Sequence, residues 1–178
     1  MTAIPLPAGL KGYLRRRDLP PVEDLHPAHC GDSLMRIAPD GTWFHQGRRI
    51  ARPELVRLFS TILRKDEEGF VLVTPAEKLS IAVEDAPFLA VLLAVEDSGQ
   101  GQRFCFTTNV GDQVTADAEH PLLFKMIADA PVPYLHVRRG LMAKAARPVY
   151  YQLAELAVTH QDRLGVWSDG IFFPFDAA

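Results

Sequence analysis

Two passages constrain the fold of this chain more than anything else in it. One is Ile50-Ala51-Arg52-Pro53-Glu54-Leu55-Val56-Arg57-Leu58-Phe59, and the other is Ala145-Ala146-Arg147-Pro148-Val149-Tyr150-Tyr151-Gln152-Leu153-Ala154. Each puts Ala-Arg-Pro directly after a pair of strand-like runs. A proline in the first turn of a helix is tolerated because its missing N–H would have no partner there anyway, so Pro53 and Pro148 mark helix starts. A shared tripeptide proves little in a chain of 178 residues; the weight lies in the flanks.

Before the first copy, Leu34-Met35-Arg36-Ile37 and Thr42-Trp43-Phe44-His45 are joined by Pro39-Asp40-Gly41, a turn signal. Before the second, Tyr134-Leu135-His136-Val137 and Leu141-Met142-Ala143 are joined by Arg138-Arg139-Gly140. From Pro53, Leu55, Leu58, Phe59 and Ile62 recur at helical spacing and leave Glu54, Arg57, Arg64 and Lys65 outward. From Pro148, Tyr150, Leu153, Ala154 and Ala157 do the same. Strand pairs then follow: Phe70 to Val73 with Leu79 to Val83, and Gly165 to Trp167 with Ile171 to Phe175 across Ser168-Asp169-Gly170.

The expected fold class is therefore α+β, with two repeated strand-strand-helix-strand-strand modules and an additional β-hairpin between them. That hairpin is Phe88 to Val95 with Arg103 to Thr108, and low-contrast strands follow at Val114 to Thr115 and Leu122 to Met126. The expected division is an N-terminal arm over residues 1–27, a first module over 28–86, and the inserted hairpin with the second module over 87–178. Pro5, Pro7, Pro20 and Pro21 break periodic structure in the arm, leaving room for one helical turn around Leu10 to Arg17 that carries the basic run Arg15-Arg16-Arg17.

Bulk properties exclude several function classes. Hydrophobic residues make up 48% and charged ones 23%, as in an ordinary globular protein. The net charge of −3 supplies no basic field, so no nucleic-acid partner is expected. Apolar runs fall short of the roughly 20 residues of a membrane helix, so no membrane partner is expected either. Two distant cysteines, Cys30 and Cys105, without a secretory signal point to a reduced, cytoplasmic setting.

Candidate chemistry is sparse. His26-Pro27-Ala28-His29-Cys30-Gly31-Asp32 contains zinc-ligand types, but all lie in one short loop, while His45, His120, His136 and His160 are scattered. No metal and no cofactor is expected; a metal-assisted hydrolase using the His26/His29/Cys30 region is the alternative. Ser168-Asp169 and Asp32-Ser33 lack a nucleophile-elbow context, and no glycine-rich phosphate loop occurs, so no catalytic residue is assigned and a non-enzymatic role is expected.

The anion-binding candidates are Arg52 with Arg48 and Arg49, and Arg147 with Lys144, Arg138 and Arg139. A helix start attracts anions through its free N–H groups, and a guanidinium adds a two-toothed fork for carboxylate or phosphate. The expected partner is a small acidic ligand or a protein held between the modules. Ile171, Phe173 and Phe175 alternate with Phe172 and Pro174, an apolar pattern on both faces that fits either a core strand in a monomer or the interface of a homodimer.

Several of these motifs together carry a resemblance. Cys30-Gly31-Asp32, Met35-Arg36-Ile37, Asp40-Gly41-Thr42-Trp43-Phe44, the Arg-Pro-x-Leu-Val-Arg-Leu-Phe helix, Val73-Thr74-Pro75-Ala76-Glu77-Lys78 and Val83-Glu84-Asp85-Ala86-Pro87-Phe88 form its first half. Thr108-Asn109-Val110-Gly111-Asp112, Tyr134-Leu135-His136-Val137 and Gly165-Val166-Trp167-Ser168-Asp169-Gly170-Ile171-Phe172-Phe173-Pro174 form its second. The chain, from about Pro27 to Pro174, resembles the bacterial family named domain of unknown function 1285. The resemblance implies an α+β fold built on a repeated motif and a link to signal transduction; it carries no catalytic residues to transfer.

Overall fold

The computed structural model describes residues 19–176; the Leu10 to Arg17 turn and the Arg15-Arg16-Arg17 run lie outside the described residues. The described residues are mostly β, with 51% in strands and 15% in helices. This corrects the expected α+β class of strand-strand-helix-strand-strand modules. Among the described residues there are two α-helices of nine residues each, and the strands divide into three sheets. Two compact units meet in the sequence between Asp85 and Ala86.

The first unit contains β1 (His29–Ile37), β2 (Trp43–His45), β3 (Arg48–Arg49), α1 (Pro53–Thr61), β4 (Leu63–Asp66), β5 (Gly69–Val73) and β6 (Lys78–Val83). They form one six-stranded sheet in the order β3-β2-β1-β6-β5-β4. Every neighbouring pair is antiparallel except β1 and β6, which run parallel.

Helix α1 begins as expected, with Pro53 in its first turn and Arg52 extended ahead of it at φ −92°. It ends earlier than the apolar spacing suggests. Ser60 and Thr61 turn their hydroxyls back onto the Arg57 and Leu58 carbonyls at 2.6 and 2.7 Å, offering the backbone an alternative to further helix. Arg64 and Lys65, expected on the outer face of this helix, lie instead on β4, where Arg64 opposes Val71 and Lys65 opposes Phe70.

Strand alternation then sorts the sheet into two faces. Met35, Ile37, Trp43, Leu63, Leu72 and Ile81 point to one side and are buried there, and Trp43 stacks on Phe59 of α1 at 6.4 Å between ring centroids. Burying a side chain of this size contributes about 2 kcal/mol. The other face carries Arg64, Asp66, Lys78 and Ser80 in neighbouring registers.

The second unit contains β7 (Phe88–Glu96), β8 (Arg103–Thr108), β9 (Gln113–Thr115), β10 (Leu122–Ile127), β11 (Ala130–Arg138), β12 (Leu141–Ala145), α2 (Arg147–Glu155), β13 (Val158–His160), β14 (Arg163–Ser168) and β15 (Ile171–Pro174). Six of these strands form a sheet in the order β10-β11-β12-β7-β8-β9, with β12 and β7 parallel. The hairpin read as an insertion is thus continuous with the strands that precede α2. The last three strands pair only with one another.

Helix α2 buries Val149 and Leu153, one turn apart, while Ala154, expected inside, is exposed. The three-stranded sheet is fastened to the larger one through a neutral tie. Fully buried Ser168 donates to the Ala116 carbonyl at 2.6 Å and accepts from the Phe104 N–H at 2.9 Å. In the final hairpin Phe173 is buried, Phe175 meets Phe124 at 4.5 Å, and Phe172 packs against Trp167 and His160. No helix among the described residues is long and apolar enough to cross a membrane.

Candidate functional site

The sheet edge of the first unit brings three of the six candidate arginines, Arg48, Arg49 and Arg52, into one stretch. Gln46 and Gly47, at φ 49° and 75°, turn the chain so that β3 returns along β2, pairing Arg48 with His45 and Arg49 with Phe44. Arg48, Arg49 and Arg52 are all exposed. No side chain caps the start of α1, and Arg52 occupies the capping position. Thr42, through its backbone N–H and then its hydroxyl, holds the Asp40 carboxyl below the usual carboxylate range, and Arg49 adds attraction to the same effect.

Arg147 belongs to the second unit. It is the first residue of α2, exposed, and that helix also lacks a side-chain cap. Of its expected companions, Arg138 is half-buried, ion-paired with Asp112 and placed over the Phe88 ring at 4.8 Å. That arginine serves the interior of its unit.

The His26/His29/Cys30 region does not assemble a ligand set. His29 Nε2 is 2.8 Å from Ser80 Oγ, and Cys30 donates its thiol proton to the Ala28 carbonyl at 3.2 Å. Among the described residues no group of three or more His, Cys, Asp or Glu side chains is placed to hold a metal ion. Ser80 and His29 are within the contact distance of a nucleophile and its base. Ser80 sits mid-strand in β6, between β1 and β5, and not on a strand-to-helix turn.

Beside that pair lies a cleft of about 140 Å³ bordered by His29, Asp66, Glu68, Val71, Lys78 and Ser80. It continues into a wider depression bordered by Lys65 and Glu67. Its fixed element is an ion network that sequence reading missed. Arg64, 7% exposed, grips both Asp66 oxygens at 2.6 and 3.0 Å and donates to the carbonyls of Val22 and Leu25 at 2.7 and 2.8 Å. Lys78 reaches the same carboxylate at 3.2 Å. The Arg64 fork, and then Lys78, hold the Asp66 carboxyl below its ordinary range against the opposing effect of burial. The Asp66 carboxylate in turn raises the pKa of Arg64 above its ordinary value.

Family models divide the chain within one residue of the boundary between its compact units. Residues 20–86 match the N-terminal domain of unknown function (DUF1285), and residues 87–175 match the C-terminal domain of the protein of unknown function (DUF1285). The chain belongs to the DUF1285 family. A crystal structure of a DUF1285 family protein from Silicibacter pomeroyi DSS-3 is 44% identical, covers 93% of both chains and superposes with a TM-score of 0.86. One from Shewanella baltica OS155 is 29% identical, covers 68% of this chain and 91% of its own, with a TM-score of 0.54. Among curated proteins none matches the chain. In DUF1285 terms, Arg48, Arg49, Arg52 and the cleft fall in the N-terminal domain, and Arg147 falls in the C-terminal one.

Proposed function

We propose that this DUF1285 protein is a non-enzymatic ligand-binding protein with a regulatory role in bacterial signal transduction, and that its ligand is acidic. The observation that supports this reading is the trio Arg48, Arg49 and Arg52, exposed together where a sheet edge leads into a helix start that no side chain caps. Guanidinium forks at the positive end of a helix suit phosphate or carboxylate. Arg147 presents the same chemistry at the start of α2 with fewer exposed companions.

A thermal-shift screen of phosphates, nucleotides and dicarboxylates tests the reading. The expected result is stabilisation of the wild type that the Arg48→Ala/Arg49→Ala/Arg52→Ala variant loses and that Arg147→Ala reduces less. No shift with any anion, or an equal shift in the triple variant, would sink it.

A further inference from the structure

The cleft beside β1, β5 and β6 has a charge arrangement that the arginine edge does not use. Asp66 is one carboxylate shared by two cations, since Arg64 engages both its oxygens and Lys78 reaches one of them. The trio therefore carries one net positive charge. Arg64 is turned away from the cleft onto the Val22 and Leu25 carbonyls, so the excess sits at Lys78, which is 24% exposed and keeps donors free. The Ser80 hydroxyl and the His29 ring stand beside it as further polar groups.

The border of the cleft also carries the other sign. Glu68, in the turn between β4 and β5, is exposed and has no ion-pair or hydrogen-bond partner among the described residues. The rest of the border includes the apolar Phe70, Val71 and Ile81 and the side-chain-free Gly69. A cation and an anion bordering one small cleft fit a ligand that carries both charges; a singly charged ligand would leave one of them unmatched. The volume of about 140 Å³ corresponds to roughly five waters, the size of the smallest amino acids.

We infer that this cleft is a binding site for a small zwitterion of the amino-acid class, with Lys78, Ser80 and His29 receiving its carboxylate and Glu68 its ammonium. The site is independent of the arginine edge, and its test separates the two. Alanine, propionate and ethylamine are titrated into the full-length protein while backbone amide resonances are followed by NMR. Alanine is expected to move the amides of His29, Gly69 and Ser80, with propionate and ethylamine each leaving them in place at the same concentration. Glu68→Gln, an exposed and conservative change, is expected to weaken alanine about tenfold, whereas Arg52→Ala leaves it unaltered. Absence of any response to alanine overturns the inference. So does a propionate response equal to that of alanine, an unchanged affinity in Glu68→Gln, or loss of binding in Arg52→Ala.

Discussion

The two units of this chain fasten the strands that follow their helices in different ways. In the first, β4 and β5 join the main sheet through β6, and the outer face is locked by charge: Arg64 holds Asp66 and the carbonyls of the segment before β1. In the second, β13, β14 and β15 form a sheet of their own, locked by the uncharged hydroxyl of Ser168. Similar local passages, Ala-Arg-Pro after a strand pair, thus lead to different sheet partners. Helix starts are decided by neighbours in sequence. Sheet membership is decided by which strand reaches a free edge, and in the second unit β7 already lies parallel beside β12.

The largest expected effect breaks the charged tie. Arg64→Met removes the donors to two carbonyls and strands the Asp66 carboxylate beside Lys78 alone, so denaturant unfolding should show a loss of about 3 kcal/mol. Arg64→Lys should recover only part of it, because an ammonium cannot reproduce the fork.

A slightly smaller loss is expected in the second unit from Gly165→Ala. A methyl group there would lie 2.6 Å from Phe172 Cζ and 2.8 Å from Pro174 Cα, and closer still to the Phe173 carbonyl oxygen. Overpacking of this kind costs about 1–3 kcal/mol, read from the same unfolding curves. Ser168→Ala tests the neutral tie itself. Losing the one hydroxyl that serves both Phe104 and Ala116 should cost about 1–2 kcal/mol, since it leaves the buried Phe104 N–H without that acceptor.

Acid should separate the two ties more finely. The folded Asp66 carboxyl titrates below its ordinary 3.8, so in that window the unfolded chain binds more protons and stability rises with pH. The contribution is complete above the unfolded value and is lost as pH falls through the folded one. Amide protection at Val22 to Leu25, corrected for the intrinsic exchange rate at each pH, should therefore fall on acidification more in the wild type than in Asp66→Asn, while no comparable change is tied to Ser168.

How much of this was legible in the sequence depended on how local the decisive contact is. Pro53 and Pro148 announced the helix starts, and Ser168-Asp169-Gly170 announced the last hairpin, whose Asp169 and Gly170 both take positive φ. The fold class differs from the expectation because the helical spacing from Pro53 runs on past Ser60 and Thr61, where the backbone is diverted, into Leu63 to Asp66, which is a strand whose partner lies beyond a turn. Arg64 looked like an outward helix residue because its burial depends on Val22, 42 positions away. The His29–Ser80 contact spans 51 positions, so the cleft had no contiguous signature. The Arg48, Arg49 and Arg52 group, by contrast, was readable because its members are near neighbours in the chain.

The contrast on which the proposed function rests is that the first unit exposes Arg48, Arg49 and Arg52 together, while the second half-buries Arg138 and leaves Arg147 at its helix start. An NMR titration of the full-length protein with inorganic phosphate tests that contrast most directly. The largest amide shifts are expected at Arg48 to Leu55, with smaller ones at Arg147 and its neighbours, and the first set should vanish in the Arg48→Ala/Arg49→Ala/Arg52→Ala variant. Shifts confined to the second unit, shifts that survive in the variant, or no shifts at all would contradict the assignment of acidic-ligand binding to the first unit.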